Sequence, residues 1–238
     1  MSLLISETFT SLQGEGKLTG VPTWFVRLSG CNLRCTWCDT PYASWNPEGT
    51  KRTIEDLVGE AHKSGVHHAV VTGGEPMIFK ELPELCAKLR EQGMHITIET
   101  AGTVYPDEWK NLACDLMSIS PKLANSTPSR TDERDPLAVW HDRHEERRLN
   151  LPVLRRIAAD FADIQMKFVV SSPHDLAEIE GLLASLPGVQ PGDVMLMPEG
   201  TKPPEPAATD WVVRACIERG WRYCRRLHID LFGDTRGT

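Results

Sequence analysis

The chain has 238 residues, 40% of them hydrophobic, which suffices for one sizeable core and predicts a single domain spanning 1–238. Its 33 acidic against 26 basic side chains give a formal net charge of −7, with no Lys/Arg block dense enough to track a phosphate backbone, so direct binding to polymeric nucleic acid is not expected. The N-terminus lacks a basic start and a sustained apolar region, and no later apolar run approaches the roughly 20 residues that span a bilayer, so a cytoplasmic protein without membrane contact is expected.

Short apolar, β-branched runs alternate with amphipathic stretches along the chain. In order, the pattern predicts a strand at 24–28, a helix at 53–64, a strand at 69–72, a helix at 80–91, and strands at 95–99 and 116–119. A helix at 151–159, a strand at 165–170, a helix at 175–184, a strand at 194–197 and a helix at 207–218 complete the series. Thr53, with Asp56 three residues on, marks a helix start: the hydroxyl can take an orphan amide while the acid sits at the positive end of the helix dipole. Strand, helix, strand at this spacing implies right-handed crossovers and an α/β fold with a mainly parallel sheet; six strands suggest a partial (β/α)6 barrel rather than a closed one of eight. Residues 124–150 interrupt the rhythm. They are rich in charge, including Arg130, Asp132, Arg134, Arg143, Glu145 and Arg148, and read as an exposed insertion with some helix.

In parallel α/β folds the chemistry collects beyond the carboxyl ends of the strands. The predicted strands end in polar or glycine-rich residues there: Thr72-Gly73-Gly74-Glu75-Pro76, Glu99-Thr100, Ser120-Pro121-Lys122 and Ser171-Ser172. Just past the first of them, Cys31, Cys35 and Cys38 place three of the chain's seven cysteines within eight residues. That spacing is too tight for a disulfide framework, and soft thiolates select zinc or iron–sulfur over hard ions. A structural zinc site wants four protein ligands, and no second close pair of Cys or His supplies a fourth. Three thiolates on a four-iron cluster leave one iron open to a small molecule.

The pattern C-x3-C-x-φ-C, with Trp37 before the last cysteine, resembles the signature of the radical S-adenosylmethionine (SAM) superfamily, and Gly73-Gly74-Glu75-Pro76 resembles its glycine-rich turn against the SAM amino group. The resemblance implies a 4Fe–4S cluster on Cys31, Cys35 and Cys38 whose open iron chelates SAM, and an electron that cleaves it to methionine and a 5′-deoxyadenosyl radical. Phe9-Thr10-Ser11-Leu12-Gln13-Gly14-Glu15-Gly16, Pro22 to Leu28, Cys38-Asp39-Thr40 and Arg226-Leu227-His228 narrow it: together they resemble the 7-carboxy-7-deazaguanine synthase family of queuosine and 7-deazapurine biosynthesis. That family is a lyase family converting 6-carboxy-5,6,7,8-tetrahydropterin to 7-carboxy-7-deazaguanine with loss of ammonia. The segment 124–150 and the tail after Leu231 carry none of the likeness.

For the small-molecule pterin, the resemblance points to Leu12, Gln13, Gly14, Glu15, Arg27, Thr72 and His228. Arg27 carries a planar fork suited to a carboxylate, and Gln13, Glu15, Thr72 and His228 can hydrogen-bond a pterin edge. For SAM, the matching positions are Trp37, Cys38, Asp39, Gly74, Glu75, Ser120, Pro121, Lys122, Gln165, Lys167 and Phe168. Thr40 matches the family position that holds Mg²⁺, with Asp39 as a second oxygen donor; helix capping is the alternative use of either. A flavodoxin-like electron donor and a homodimer are also implied by resemblance alone.

Other residues are set aside. Cys86 belongs to a helix face with Leu82, Leu85 and Leu89 and reads as core; Cys114, Cys216 and Cys224 are too scattered for a second cluster. His141 and His144, i and i+3 in the most polar stretch, read as a solvated surface rather than a metal site. Two other functions use the same motifs: an activating enzyme that installs a glycyl radical on a protein, and a non-catalytic zinc-binding module.

Overall fold

In the computed structural model, which describes residues 1–238, each of the six apolar runs becomes a strand. The chain starts with β1 (Ser2–Leu12), β2 (Pro22–Leu28) and β3 (Thr50–Thr53), then α1 (Ile54–Lys63), β4 (His68–Gly73), α2 (Leu82–Glu91), β5 (His95–Thr100) and β6 (Leu116–Ile119). It continues through α3 (Trp140–Arg147), α4 (Leu151–Asp160), β7 (Ile164–Val170), α5 (Asp175–Ala184), β8 (Val194–Pro198), α6 (Pro206–Arg219), β9 (Arg222–Tyr223) and α7 (Leu227–Phe232).

The strands form one sheet in the order β3-β1-β2-β4-β5-β6-β7-β8-β9. From β2 to β9 every neighbouring pair is parallel, while β1 lies antiparallel to both β2 and β3. β3 and β9 do not pair with each other, so the sheet stays open as a partial barrel. The antiparallel edge is the main addition to the predicted architecture. No helix is long and apolar enough to cross a membrane.

Strand periodicity sorts the side chains onto two faces. Trp24, Val26 and Leu28 of β2, Ala69 and Val71 of β4, Ile96 and Ile98 of β5, Met117 and Ile119 of β6, and Met166, Phe168 and Val170 of β7 enter the main core beneath the helices. Leu57 and Ala61 of α1 and Leu82, Leu85, Cys86 and Leu89 of α2 complete it from the other side. The alternate residues, including Arg27, Thr72, Glu99, Ser118, Gln165 and Lys167, line the concave face. A strand with a hydrophobic outer face and a polar inner one thus builds core and pocket from one segment.

Helix starts follow local chemistry. Thr53 accepts the Asp56 amide at 3.1 Å, as its sequence position predicts. Asn150 caps α4 by accepting the Val153 amide. α2 begins at Leu82 rather than at residue 80, because Pro83 is tolerated only in the first turn, where its missing N–H has no partner to lose.

Candidate active site

Beyond β2, the chain turns through Ser29 and Gly30 into the three-cysteine loop. Cys31, Cys35 and Cys38 are all free thiols, near enough that Cys35 feels the charge of the other two and Cys31 that of Cys38. Burial pushes the Cys31 thiol up to about 12 and Cys35 in the same direction, so ligation to a metal would release protons from both. No three His, Cys, Asp or Glu side chains converge tightly enough to hold a single metal ion. Three soft thiols spread around one loop suit the corners of a multi-iron cubane, whose ligands stand farther apart than those of mononuclear zinc.

The turn after β4 is pressed into this loop. A side chain at Gly74 would place its Cβ 2.3 Å from the Gly30 carbonyl oxygen and 2.6 Å from Cys31 Cβ. Gly73, at φ +153°, would meet the Leu28 carbonyl at 2.3 Å. The Glu75 amide donates to the Gly30 carbonyl at 2.9 Å. Its carboxylate, fully buried, accepts from the Thr100 hydroxyl and the Met77 and Ala101 amides at 2.8–3.0 Å. Burial raises the carboxyl's pKa against those hydrogen bonds. The Glu75 side chain therefore ties β5 to the turn, and only its main chain is left to face a ligand.

On the concave face, Lys167 is the centre of a charged network. Its ammonium, 5% exposed, lies 2.8 Å from Glu15 and 3.1 Å from Glu99. Glu99 also accepts the Thr72 hydroxyl at 2.9 Å, and Arg226 approaches Glu15 at 3.4 Å. Burial alone would raise the Glu15 pKa, but Lys167 and Arg226 outweigh it and hold the carboxyl well below its ordinary range; the same carboxylates hold Lys167 protonated. Gly14 is packed so closely on the His228 ring at the start of α7 that an added Cβ would lie 1.9 Å from Nδ1. Gln13 donates to Thr23 at 3.1 Å, and Gln165 donates to Ser118 at 2.8 Å and accepts the Lys17 amide at 2.7 Å. Leu12 ends β1, opposite Pro22.

Arg27 spends only part of its fork within the protein. Nε donates to Glu7 at 2.6 Å, and Glu7 also takes the Tyr42 hydroxyl at 2.9 Å and Arg236 of the C-terminal tail at 3.2 Å. The two Nη groups make no hydrogen bond within the chain, which leaves a fixed pair of donors for a carboxylate. Thr40 occupies the N-cap of a short 3-10 turn at Pro41–Ala43, yet its side chain caps nothing; the hydroxyl stands 3.8 Å from Cys38 Sγ. Asp39 is half exposed, 4.0 Å from Arg226. Neither residue is used for helix capping, so both oxygens remain open to a hard cation.

Lys122 folds back to donate to the Ser120 hydroxyl and carbonyl at 2.8 and 2.9 Å, with its ammonium 5.6 Å above the Trp37 ring. Pro121 is buried beside them. These residues thus join the tip of β6 to the cysteine loop. Phe168 differs from its neighbours: it is fully buried in the outer core with Met166 and Val170, because alternation sends it to the face opposite Lys167. Its side chain cannot touch a molecule in the concave face.

His144 also corrects the sequence reading. Rather than lying on a solvated surface, it is 0% exposed, and its Nδ1 accepts the Arg34 amide at 3.2 Å. Burial pushes the ring's pKa down to about 4, consistent with a neutral imidazole. Glu99, Arg226, Glu7 and Tyr42 are further site members that the sequence did not single out. Glu99 was visible only as a polar strand end and Arg226 as a neighbour of His228; nothing local marked Glu7 or Tyr42.

Residues 25–151 match the family model of the radical SAM superfamily. The chain is 50% identical over 238 residues to 7-carboxy-7-deazaguanine synthase of Rhodopirellula baltica, spanning 100% of this chain and 89% of that one. It is 43% identical to the Halobacterium salinarum protein of the same name, over 100% and 93% of the two chains. The crystal structure of QueE from Escherichia coli superposes with a TM-score of 0.67 at 28% identity, covering 94% of this chain and 93% of that one. Streptococcus suis SuiB bound to S-adenosylmethionine, at 13% identity, a TM-score of 0.52 and coverage of 81% and 47%, shares the fold.

Proposed function

The chain belongs to the 7-carboxy-7-deazaguanine synthase family of radical SAM enzymes, and from that membership and the geometry above we propose how its residues divide the work. It is a lyase that converts 6-carboxy-5,6,7,8-tetrahydropterin to 7-carboxy-7-deazaguanine with loss of ammonia, a step of queuosine biosynthesis, and its cofactors are a 4Fe–4S cluster and SAM. The cluster, when bound, supplies the electron for reductive cleavage of SAM.

Cys31, Cys35 and Cys38 ligate the cluster. Gly74 keeps the β4 turn pressed against the Gly30 carbonyl and Cys31 Cβ, so that its main chain can approach SAM, and Ser120, Pro121, Lys122, Trp37 and Gln165 frame the same end of the sheet. The free Nη pair of Arg27 takes the substrate carboxylate, while Gln13, Glu15, Thr72, Glu99 and His228 present donors and acceptors to the pterin edge. The Lys167 ammonium holds the Glu15 carboxylate ionised and orients both Glu15 and Glu99 as hydrogen-bond acceptors for the ring's N–H groups. Mg²⁺, held by Thr40 with Asp39 nearby, would neutralise the carboxylate that Arg27 grips.

The observation that carries this reading is the coincidence, on one open sheet end, of three free cysteine thiols with an arginine whose Nη groups have no partner in the chain. The catalytic unit is the single domain 1–238, with 124–150 as its insertion; it works as a homodimer and takes electrons from a flavodoxin-like donor. Reduced, reconstituted protein given SAM and 6-carboxytetrahydropterin should yield 7-carboxy-7-deazaguanine. Cleavage of SAM without that product would overturn the substrate assignment and favour the glycyl-radical activating reading.

A further inference from the structure

The charged segment between β6 and α4 is not a bystander on the surface. From its two ends it grips the main chain between the cysteines. The Ser126 carbonyl accepts the Thr36 amide at 2.8 Å, and Arg134 donates to the Thr36 carbonyl at 2.9 Å. The Arg134 guanidinium also lies 4.1 Å above the Trp45 ring, whose Nε1 donates to the Cys35 carbonyl at 2.9 Å. The Arg34 guanidinium lies 4.1 Å over Trp140 of α3. His144, from the same helix, accepts the Arg34 amide at 3.2 Å, in the stretch between Cys31 and Cys35.

The His144 ring is a bridge with a defined direction. Ser126 donates its own proton to the Leu123 carbonyl at 2.6 Å, so its oxygen accepts at 2.9 Å from His144 Nε2–H. Nδ1 is then bare and takes the Arg34 amide. The chain of bonds runs from Arg34 through the imidazole and Ser126 to the Leu123 carbonyl at the tip of the sheet. That tip is itself fixed: Asn125 donates to the Val169 carbonyl and to Asp175, both at 3.0 Å.

We infer that this segment is a clasp that sets the conformation of the cluster-binding loop, and that His144 is the positioning residue that fixes the main chain between Cys31 and Cys35. The inference rests on the three cysteines being the cluster ligands. An amide anchored at Arg34 limits the directions in which the flanking thiols can point, so the loop would present them to a cluster already shaped. An ordered loop also has less conformational entropy to lose on ligation.

Two conservative variants separate the halves of the bridge. Asn places an oxygen where Nδ1 stands but has no donor at the Nε2 position; Gln places an amide N–H where Nε2 stands but has no acceptor for Arg34. The cluster-loaded holoenzyme of wild type, His144→Asn and His144→Gln is compared by residue-resolved amide hydrogen exchange and by the rate at which a chelator strips iron. His144→Gln is expected to exchange the Arg34 amide about five- to tenfold faster, the loss of one ordinary hydrogen bond, and to lose iron correspondingly faster. His144→Asn should keep both near wild type, although both variants lower the unfolding midpoint by similar amounts. Equal Arg34 protection in the two variants, exchange raised uniformly through α3, or equal iron-release rates would overturn the clasp. A wild-type protein that never holds iron would instead overturn the ligand assignment on which it rests.

Discussion

Lys167 is nearly sealed from water and faces two carboxylates, so the stability of the site should depend on how many of them remain. At an effective dielectric near 20, an ammonium and a carboxylate at the spacings of Glu15 and Glu99 attract by roughly 5–6 kcal/mol each before desolvation, and desolvating the ammonium costs several kcal/mol. One carboxylate therefore about balances the penalty, two exceed it, and none leaves a buried charge unpaired. Glu15→Gln and Glu99→Gln should each destabilise by about 1–3 kcal/mol, with Thr72 still bound at residue 99. The double variant should lose at least about 1 kcal/mol more than the two singles combined, because only then is Lys167 stranded. Adding Lys167→Met to the double variant should restore most of that excess. Anaerobic urea unfolding of the apo proteins, followed by far-ultraviolet circular dichroism, gives these differences. Strict additivity, or no recovery with methionine, would refute the claim that Lys167 couples the two acids.

Four further expectations follow from the same geometry. The Glu15 pKa is lowered in the folded protein, so its contribution is fully present above the ordinary carboxylate range and fades as pH falls below it; the stability gap between wild type and Glu15→Gln, measured by urea titration, should shrink on acidification from pH 6 to about 3. Gly74→Ala should cut the iron content of reconstituted protein severely, since the new methyl group meets backbone at 2.3 Å, and full iron loading would contradict the close approach. Arg27→Lys should raise KM for the carboxypterin roughly 10- to 100-fold while SAM binding is unchanged, the equivalent of losing a charge-assisted hydrogen-bond pair. Phe168→Leu should cost about 1 kcal/mol of stability with no change in KM for SAM, because the ring lies in the outer core.

The strands β2 and β4 to β8 were readable because each is a largely apolar run, as in β7, where every residue is buried. β1 was not: its eleven residues, rich in Ser, Thr and Glu, form a half-exposed antiparallel strand that looks like a polar leader until β2 and β3 flank it. Some helix was expected within 124–150, but the bounds and buried side of α3 were hidden for a related reason. Seven of its eight residues are exposed or half-buried, and its single fully buried side chain is a histidine, which polarity alone assigns to solvent. β9 has two residues and α7 six, too few to show a period.

At the site, local motifs were legible and cross-chain partners were not. The cysteine spacing and the Gly73-Gly74 turn are contiguous in sequence, so their geometry is written into neighbouring residues. Glu7 meets Arg27 only through the register of β1 on β2, and Glu99 meets Lys167 only across the intervening β6. Phe168 shows the converse: a motif match places the residue near the site, but strand alternation turns its side chain away.

The central claim is a cubane on three thiolates, and its most direct test is the iron and acid-labile sulfide content of anaerobically purified protein, wild type beside single Cys→Ala variants at 31, 35 and 38. About four irons and four sulfides per wild-type chain, and loss of most iron in each variant, are the predicted result. A colourless wild type carrying one zinc per chain, or a Cys35→Ala protein that retains its full iron, would contradict the account.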